Sequence, residues 1–145
     1  MKQAKPSFTF VFLRGIKSVS QVLALLYVCS VLPVSAEQLS DYVGDADRGR
    51  LVFAQCRTCH YPEPSIGHHN GPSLHAIFGK TAGKQEGFDD YSATFKQADF
   101  AWTPELLFLW LADVEAMFPE TTMMSLGVPD PQQRADLVEY LKQFQ

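Results

Sequence analysis

Apolar positions recur at helical spacing in three stretches of this chain. Gly49, Phe53 and Cys56 fall at i, i+4 and i+7, which is one face of a helix. Asp45, just ahead of them, can cap that helix. A second stretch opens at Thr103-Pro104-Glu105, with Pro at the first helical position, and runs through Leu106, Leu107, Leu109, Trp110 and Leu111. The third opens at Asp130-Pro131-Gln132-Gln133, with Gln three after the cap as in a capping box. It sets Leu137, Val138, Leu141 and Phe144 on one side. No segment reads convincingly as a strand. From Pro62 to about Gly87 the chain is rich in Gly, Pro, His and Ser and predicts a long loop. So long a loop in a compact domain is uncommon and usually functional, here as a wrap around a ligand.

A different pattern occupies residues 1–36. Four basic residues (Lys2, Lys5, Arg14 and Lys17) and no acidic ones precede an apolar run from Val22 to Val34. The run ends in Val34-Ser35-Ala36, small residues of the kind signal peptidase needs, so 1–36 reads as a secretory signal peptide and 37–145 as one domain. An uncleaved anchor is the competing reading. It fits less well, because the run is shorter than the roughly 20 residues a bilayer requires and Pro33 interrupts it. Cleavage after Ala36 discards Cys29 and leaves Cys56 and Cys59. It also leaves eight basic against sixteen acidic side chains, a net charge of −8. That balance argues against nucleic acid and anionic membranes as partners. Three helices in a chain of this length make a thin core, and a large apolar cofactor would supply its centre.

The sharpest chemical signal is Cys56-Arg57-Thr58-Cys59-His60. Cysteines three apart on a helical turn share a face, so both thiols can reach the edge of one flat macrocycle and add to its vinyl groups. The adjacent imidazole can then approach the iron, and the pattern reads as c-type haem attachment. Two other chemistries use such a pair. A thioredoxin-like redox pair belongs in a strand-to-helix setting, whereas a helical pattern precedes this one. A zinc site could add His68, His69 or His75, but the gap is shorter than in the usual finger and there is no second C-x-x-C.

Taken in order, the sequence resembles the class I cytochrome c family, of the mitochondrial and bacterial c2 type, over nearly all of the part after residue 36. The resemblance rests on Gly44-Asp45 with Gly49 and Phe53, the haem motif, and Gly71-Pro72-Ser73-Leu74. It continues through Phe78-Gly79-Lys80-Thr81-Ala82-Gly83, Gly87-Phe88, Tyr91-Ser92 and Trp102. Pro119-Glu-Thr-Thr-Met123, and Arg134-Ala-Asp-Leu with Tyr140-Leu141-Lys142, complete it. It implies a small all-α monohaem fold, three main helices and long loops around one haem c attached through Cys56 and Cys59. His60 would be the proximal iron ligand, oriented by the Pro72 carbonyl, and Met123 the distal one. Tyr91 and Trp102 would bond a haem propionate. Gly49 and Phe53 would pack against Leu137 and Tyr140. Four positions depart from the family: Glu120 and Thr122 replace a common Gly and Lys, Lys80 replaces Arg, and Trp110 replaces Tyr.

Met117, Met123 and Met124 are the candidate thioethers after Trp102. Buried methionine usually fills gaps in a core, the role expected of Met117 and Met124, while Met123 lies in a segment that looks extended. His68, His69 and His75 are expected on the loop surface or bonded within it. Trp110, Phe108 and Phe118 are expected to pack against the haem. The function implied is one-electron transfer, haem iron cycling between Fe(III) and Fe(II) in a respiratory or related chain, with no catalytic residue. A haem-bearing subunit of a larger oxidoreductase is the main alternative; a small haem peroxidase or gas sensor would need an open distal site, against which Met123 speaks. The expected setting is the periplasm, as a monomer. Its expected partners are redox proteins: a bc1-type donor, and a terminal oxidase or periplasmic reductase as acceptor. It would touch the membrane only through them.

Overall fold

The computed structural model describes residues 37–145; the expected signal segment and Cys29 lie outside them. Among these residues five helices run in the order α1 (Ala46–Phe53), α2 (Ala93–Lys96), α3 (Pro104–Trp110), α4 (Val114–Met117) and α5 (Pro131–Leu141), with 3-10 turns at Leu39–Asp41 and Lys142–Phe144. The only β pairing among the described residues is one bridge, Thr81 to Ala101. The all-α expectation therefore holds.

Each predicted helix start is a real cap. The Asp45 carboxylate accepts from the Arg48 amide at 2.8 Å, and the Thr103 hydroxyl accepts from Leu106 at 3.1 Å. Asp130 takes the amides of Gln132 at 2.8 Å and Gln133 at 3.2 Å. These bonds satisfy donors that a helix start leaves without partners. The Gln133 side chain returns no bond to the cap. The neighbouring Gln132 amide instead reaches the Val43 carbonyl and the Asp136 carboxylate.

α1 and α5 form the main helix pair. A Cβ on Gly49 would lie 2.0 Å from the Asp136 carbonyl oxygen, so only glycine permits this approach. The Phe53 ring meets Tyr140 at 5.3 Å, and Leu137, Val138 and Leu141 are buried. One apolar expectation fails on α3, where Leu109 turns to solvent, because the helix has a single buried side and Leu107, Phe108 and Trp110 take it.

The loop from Pro62 to Gly87 contains no helix. Its backbone is nonetheless tied down: Gly71 donates to Cys59, Leu74 to Tyr61, Gly79 to Trp102 and Ala82 to Phe100, all within 3.0 Å. His68 ties its middle to its end, accepting from the Ser73 amide at 3.0 Å and donating through Nε2 to the Glu86 carbonyl at 2.8 Å. A ring that accepts at one nitrogen and donates at the other is neutral.

Candidate functional site

A cavity of about 880 Å³ lies between these elements. The turn after α1 forms one wall. Cys59 and His60 both donate their amides to the Cys56 carbonyl, at 3.1 and 2.9 Å, so Cys56, Cys59 and His60 sit on a single hydrogen-bonded turn and all line the cavity. His60 Nδ1 is 2.8 Å from the Pro72 carbonyl. A carbonyl only accepts, so Nδ1 carries the proton and Nε2 is left with a free lone pair. Burial lowers the His60 pKa and the Pro72 bond partly opposes this, which favours the neutral ring a metal ligand needs. Gly71 closes this side: a Cβ there would fall 2.4 Å from the imidazole Cε1. The sequence signal for that role was only the Gly before Pro72.

Burial pushes the Cys56 thiol up to about 11, with the neighbouring Cys59 adding to the shift. Reactive redox thiols have the opposite perturbation, so Cys56 is poorly suited to be the attacking thiol in disulfide exchange. The zinc alternative also lacks support: the described residues hold no cluster of three or more His, Cys, Asp or Glu able to bind a metal.

The segment from Pro119 to Val128 forms another wall and is moored along its length. The Thr122 hydroxyl donates to the Asp90 carbonyl at 3.0 Å. The Met123 amide donates to the Thr121 hydroxyl at 3.3 Å, and the Val128 amide to the Leu111 carbonyl at 2.7 Å. Gly127 adopts φ +77° with the Leu111 carbonyl 2.5 Å from where a Cβ would be, so this mooring also requires glycine. Exposure alternates along the segment, as it does in extended chain. Thr122, Met124 and Leu126 face out, while Met123 and Ser125 are half-buried. Met123 packs against the core. Met124 is 100% exposed, which corrects the expectation that it fills a gap. Met117 is half-buried against the core.

Tyr91, Trp102 and Trp110 line the cavity, but Phe108 and Phe118 do not. Phe108 instead packs under Tyr42, with the Arg134 guanidinium over its ring at 4.5 Å. Phe118 meets Phe95 at a tilt and stacks on Phe100. Lys80 sits beside a neighbouring hollow of about 440 Å³ and donates to the His75 carbonyl at 2.7 Å.

Two features fit a large flat apolar group in the cavity. Its other walls include Ile77, Leu107 and Leu111, which a 109-residue domain would ordinarily close by packing. The Trp110 Nε1–H is buried with no hydrogen-bond partner among the described residues, and such a donor needs an acceptor supplied from elsewhere.

Comparison with known proteins agrees with this geometry. Residues 46–145 match the family described as Cytochrome c. A cytochrome c2 of Blastochloris viridis is 38% identical over 115 residues, 79% of this chain and 84% of that protein. A cytochrome c of Guizotia abyssinica is 37% identical over 100 residues, covering 68% and 89%. The solved structure of cytochrome cH from Methylobacterium extorquens aligns with a TM-score of 0.63 at 35% identity, covering 69% of this chain and 99% of that one.

Proposed function

Because the chain belongs to the cytochrome c family, a family of electron carriers with haem c attached through a cysteine pair, we propose roles for its individual residues. Cys56 and Cys59 form the two thioethers. His60 and Met123 would be the side chains that hold the iron. When bound, the haem supplies a one-electron Fe(III)/Fe(II) couple. The chain's own residues set its character. The Pro72 carbonyl fixes the His60 tautomer and ring plane, as outer partners of ligating histidines do. The Met123 thioether, a soft neutral donor, favours ferrous iron and raises the potential. Tyr91 and Trp102, each with a polar tip, hold a propionate.

The observation that carries this assignment is that His60, held by Pro72, and half-buried Met123 come from separate segments into one cavity with both cysteines. His68 is a poor rival ligand, since both its ring nitrogens are already bonded.

The protein acts by moving electrons between redox proteins and has no substrate chemistry of its own. It works in the periplasm after cleavage behind Ala36, between a bc1-type donor and a terminal oxidase or reductase. Among the described residues no helix is long and apolar enough to cross a membrane. Glu37 already pairs with buried Arg134 at 2.7 Å, which suits a domain that begins there.

The test is direct. Haem should stay with the chain through denaturing electrophoresis, at the mass of residues 37–145 plus one haem. Met123→Ala should abolish the weak near-infrared sulfur-to-iron band, lower the potential and let carbon monoxide bind the ferrous protein. Loss of all haem on acid–organic extraction would refute the attachment, and a band that survives in Met123→Ala would refute the distal ligand.

A further inference from the structure

Resting on the electron-carrier reading, we propose that the outer edge of the Pro119–Val128 segment is a docking surface for a redox protein whose own contact patch is apolar and ringed by Lys and Arg. Met124 is 100% exposed and Leu126 is 96% exposed. Single exposed apolar side chains are ordinary. These two are alternate residues of one extended segment, so they point the same way, and both border the cavity. The mooring of the segment at Asp90 and Leu111 holds them there. Gln55 and Thr58, also exposed, border the cavity from the turn after α1. Leu51, 67% exposed, precedes Gln55 by one helical turn and extends the apolar area along α1.

Charge decides the partner's chemistry. No Lys or Arg lines the cavity; Asp90 does. Exposed Asp89 adjoins Asp90, and exposed Glu120 lies two residues before Thr122, whose hydroxyl donates to the Asp90 carbonyl. The nearest cation in sequence, Arg57, is drawn away to Glu63 at 2.7 Å and over the Tyr61 ring. Lys80 and Lys84 border the other hollow and donate to the carbonyls of His75 and Lys96. Residues 37–145 carry a net charge of −8. At the cavity rim an approaching surface therefore meets apolar and acidic groups. A second copy of this chain would be repelled, and so would an acid-ringed partner. A basic ring around an apolar centre complements both features, and the small interfaces of transient redox encounters release their partners quickly.

Two small oxidants of opposite charge test the surface on the ferrous holoprotein. Tris(phenanthroline)cobalt(III) is apolar and carries three positive charges; hexacyanoferrate(III) carries three negative ones. In stopped-flow oxidation the cobalt rate should fall as salt is added and the hexacyanoferrate rate should rise. Met124→Lys with Leu126→Lys should slow the cobalt reaction at low salt by on the order of tenfold and speed the hexacyanoferrate reaction, with the near-infrared band and potential unchanged. Met124→Gln with Leu126→Gln, which keeps the charge, should still slow the cobalt complex, and at high salt too. A cobalt rate that rises with salt, or lysine variants that leave both rates and both salt slopes unchanged, would overturn the proposal. A protein that exchanges electrons with neither reagent would instead overturn the electron-carrier reading beneath it.

Discussion

Met123 and Met124 are adjacent in the chain and opposite in environment, and Pro119 and Gly127 set which is which. Met124 touches nothing that a mutation could empty, so Met124→Ala should change stability by less than about 0.5 kcal/mol and leave the near-infrared band in place. Denaturant titration and one spectrum check both statements. The alternation was legible in the sequence, because side chains in extended chain point to opposite sides. That the outward side is bare solvent was not legible, because it depends on what the rest of the molecule leaves uncovered. Glu120 is a second local case. It holds φ +67°, a conformation costly for a residue with a Cβ. Glu120→Gly should add about 1 kcal/mol of stability, read as a higher denaturant midpoint, because the relief of strain outweighs the added freedom of the unfolded chain. An unchanged or lower midpoint would show that the Glu120 side chain contributes more than its backbone costs.

The α1–α5 pair turns on one carboxylate. Asp136 accepts from Arg48 Nε and Nη2, both at 2.7 Å, from the Asp45 amide at 2.9 Å and from Gln132 at 2.9 Å. It therefore joins the start of α1 to the middle of α5. The Arg48 hydrogen bonds, reinforced by those from Gln132 and Asp45, hold its pKa below the usual carboxylate value against the opposing effect of burial. A depressed folded pKa contributes stability that is present above the unfolded value, about 3.9, and lost as pH falls through the folded value. Asp136→Asn should cost about 1–3 kcal/mol at pH 7, and the gap to wild type should close below about pH 4. A gap that stays constant across that range would assign the loss to packing. Gly49→Ala should cost at least as much as other overpacked sites, about 1–3 kcal/mol, since the atom it meets is backbone rather than a movable side chain. All three main helices were readable because their caps are local: a Thr or Asp followed by helical residues bonds within three positions. The four-residue helices α2 and α4 were not, although Ser92 and Asp113 cap them in the same way. Too few residues follow for a period to show. The Arg48–Asp136 link, 88 residues apart, was equally invisible, because nothing in either local stretch names its partner.

At the scale of the whole molecule the cavity is the largest energetic fact, and it makes folding and cofactor attachment one process. The buried residues Ile77, Trp102, Leu107, Trp110 and Leu111 line it, so much of the apolar core faces the space that the haem fills. The α1–α5 contact would remain, but an isolated pair of helices of this length is marginal without the rest of the core. Cys56→Ala with Cys59→Ala, which blocks attachment, should therefore yield a chain with little helical signal in circular dichroism and no cooperative thermal transition. Haem added to that chain, free to bind through His60 and Met123, should restore part of the helix content in proportion to occupancy, as ligand binding to the folded state alone requires. If the double variant without haem instead melts cooperatively near the wild-type temperature, the helices pack without a central group and the cavity closes on its own. The long loop would then be held by its backbone bonds to Cys59, Tyr61, Trp102 and Phe100 rather than by what it surrounds.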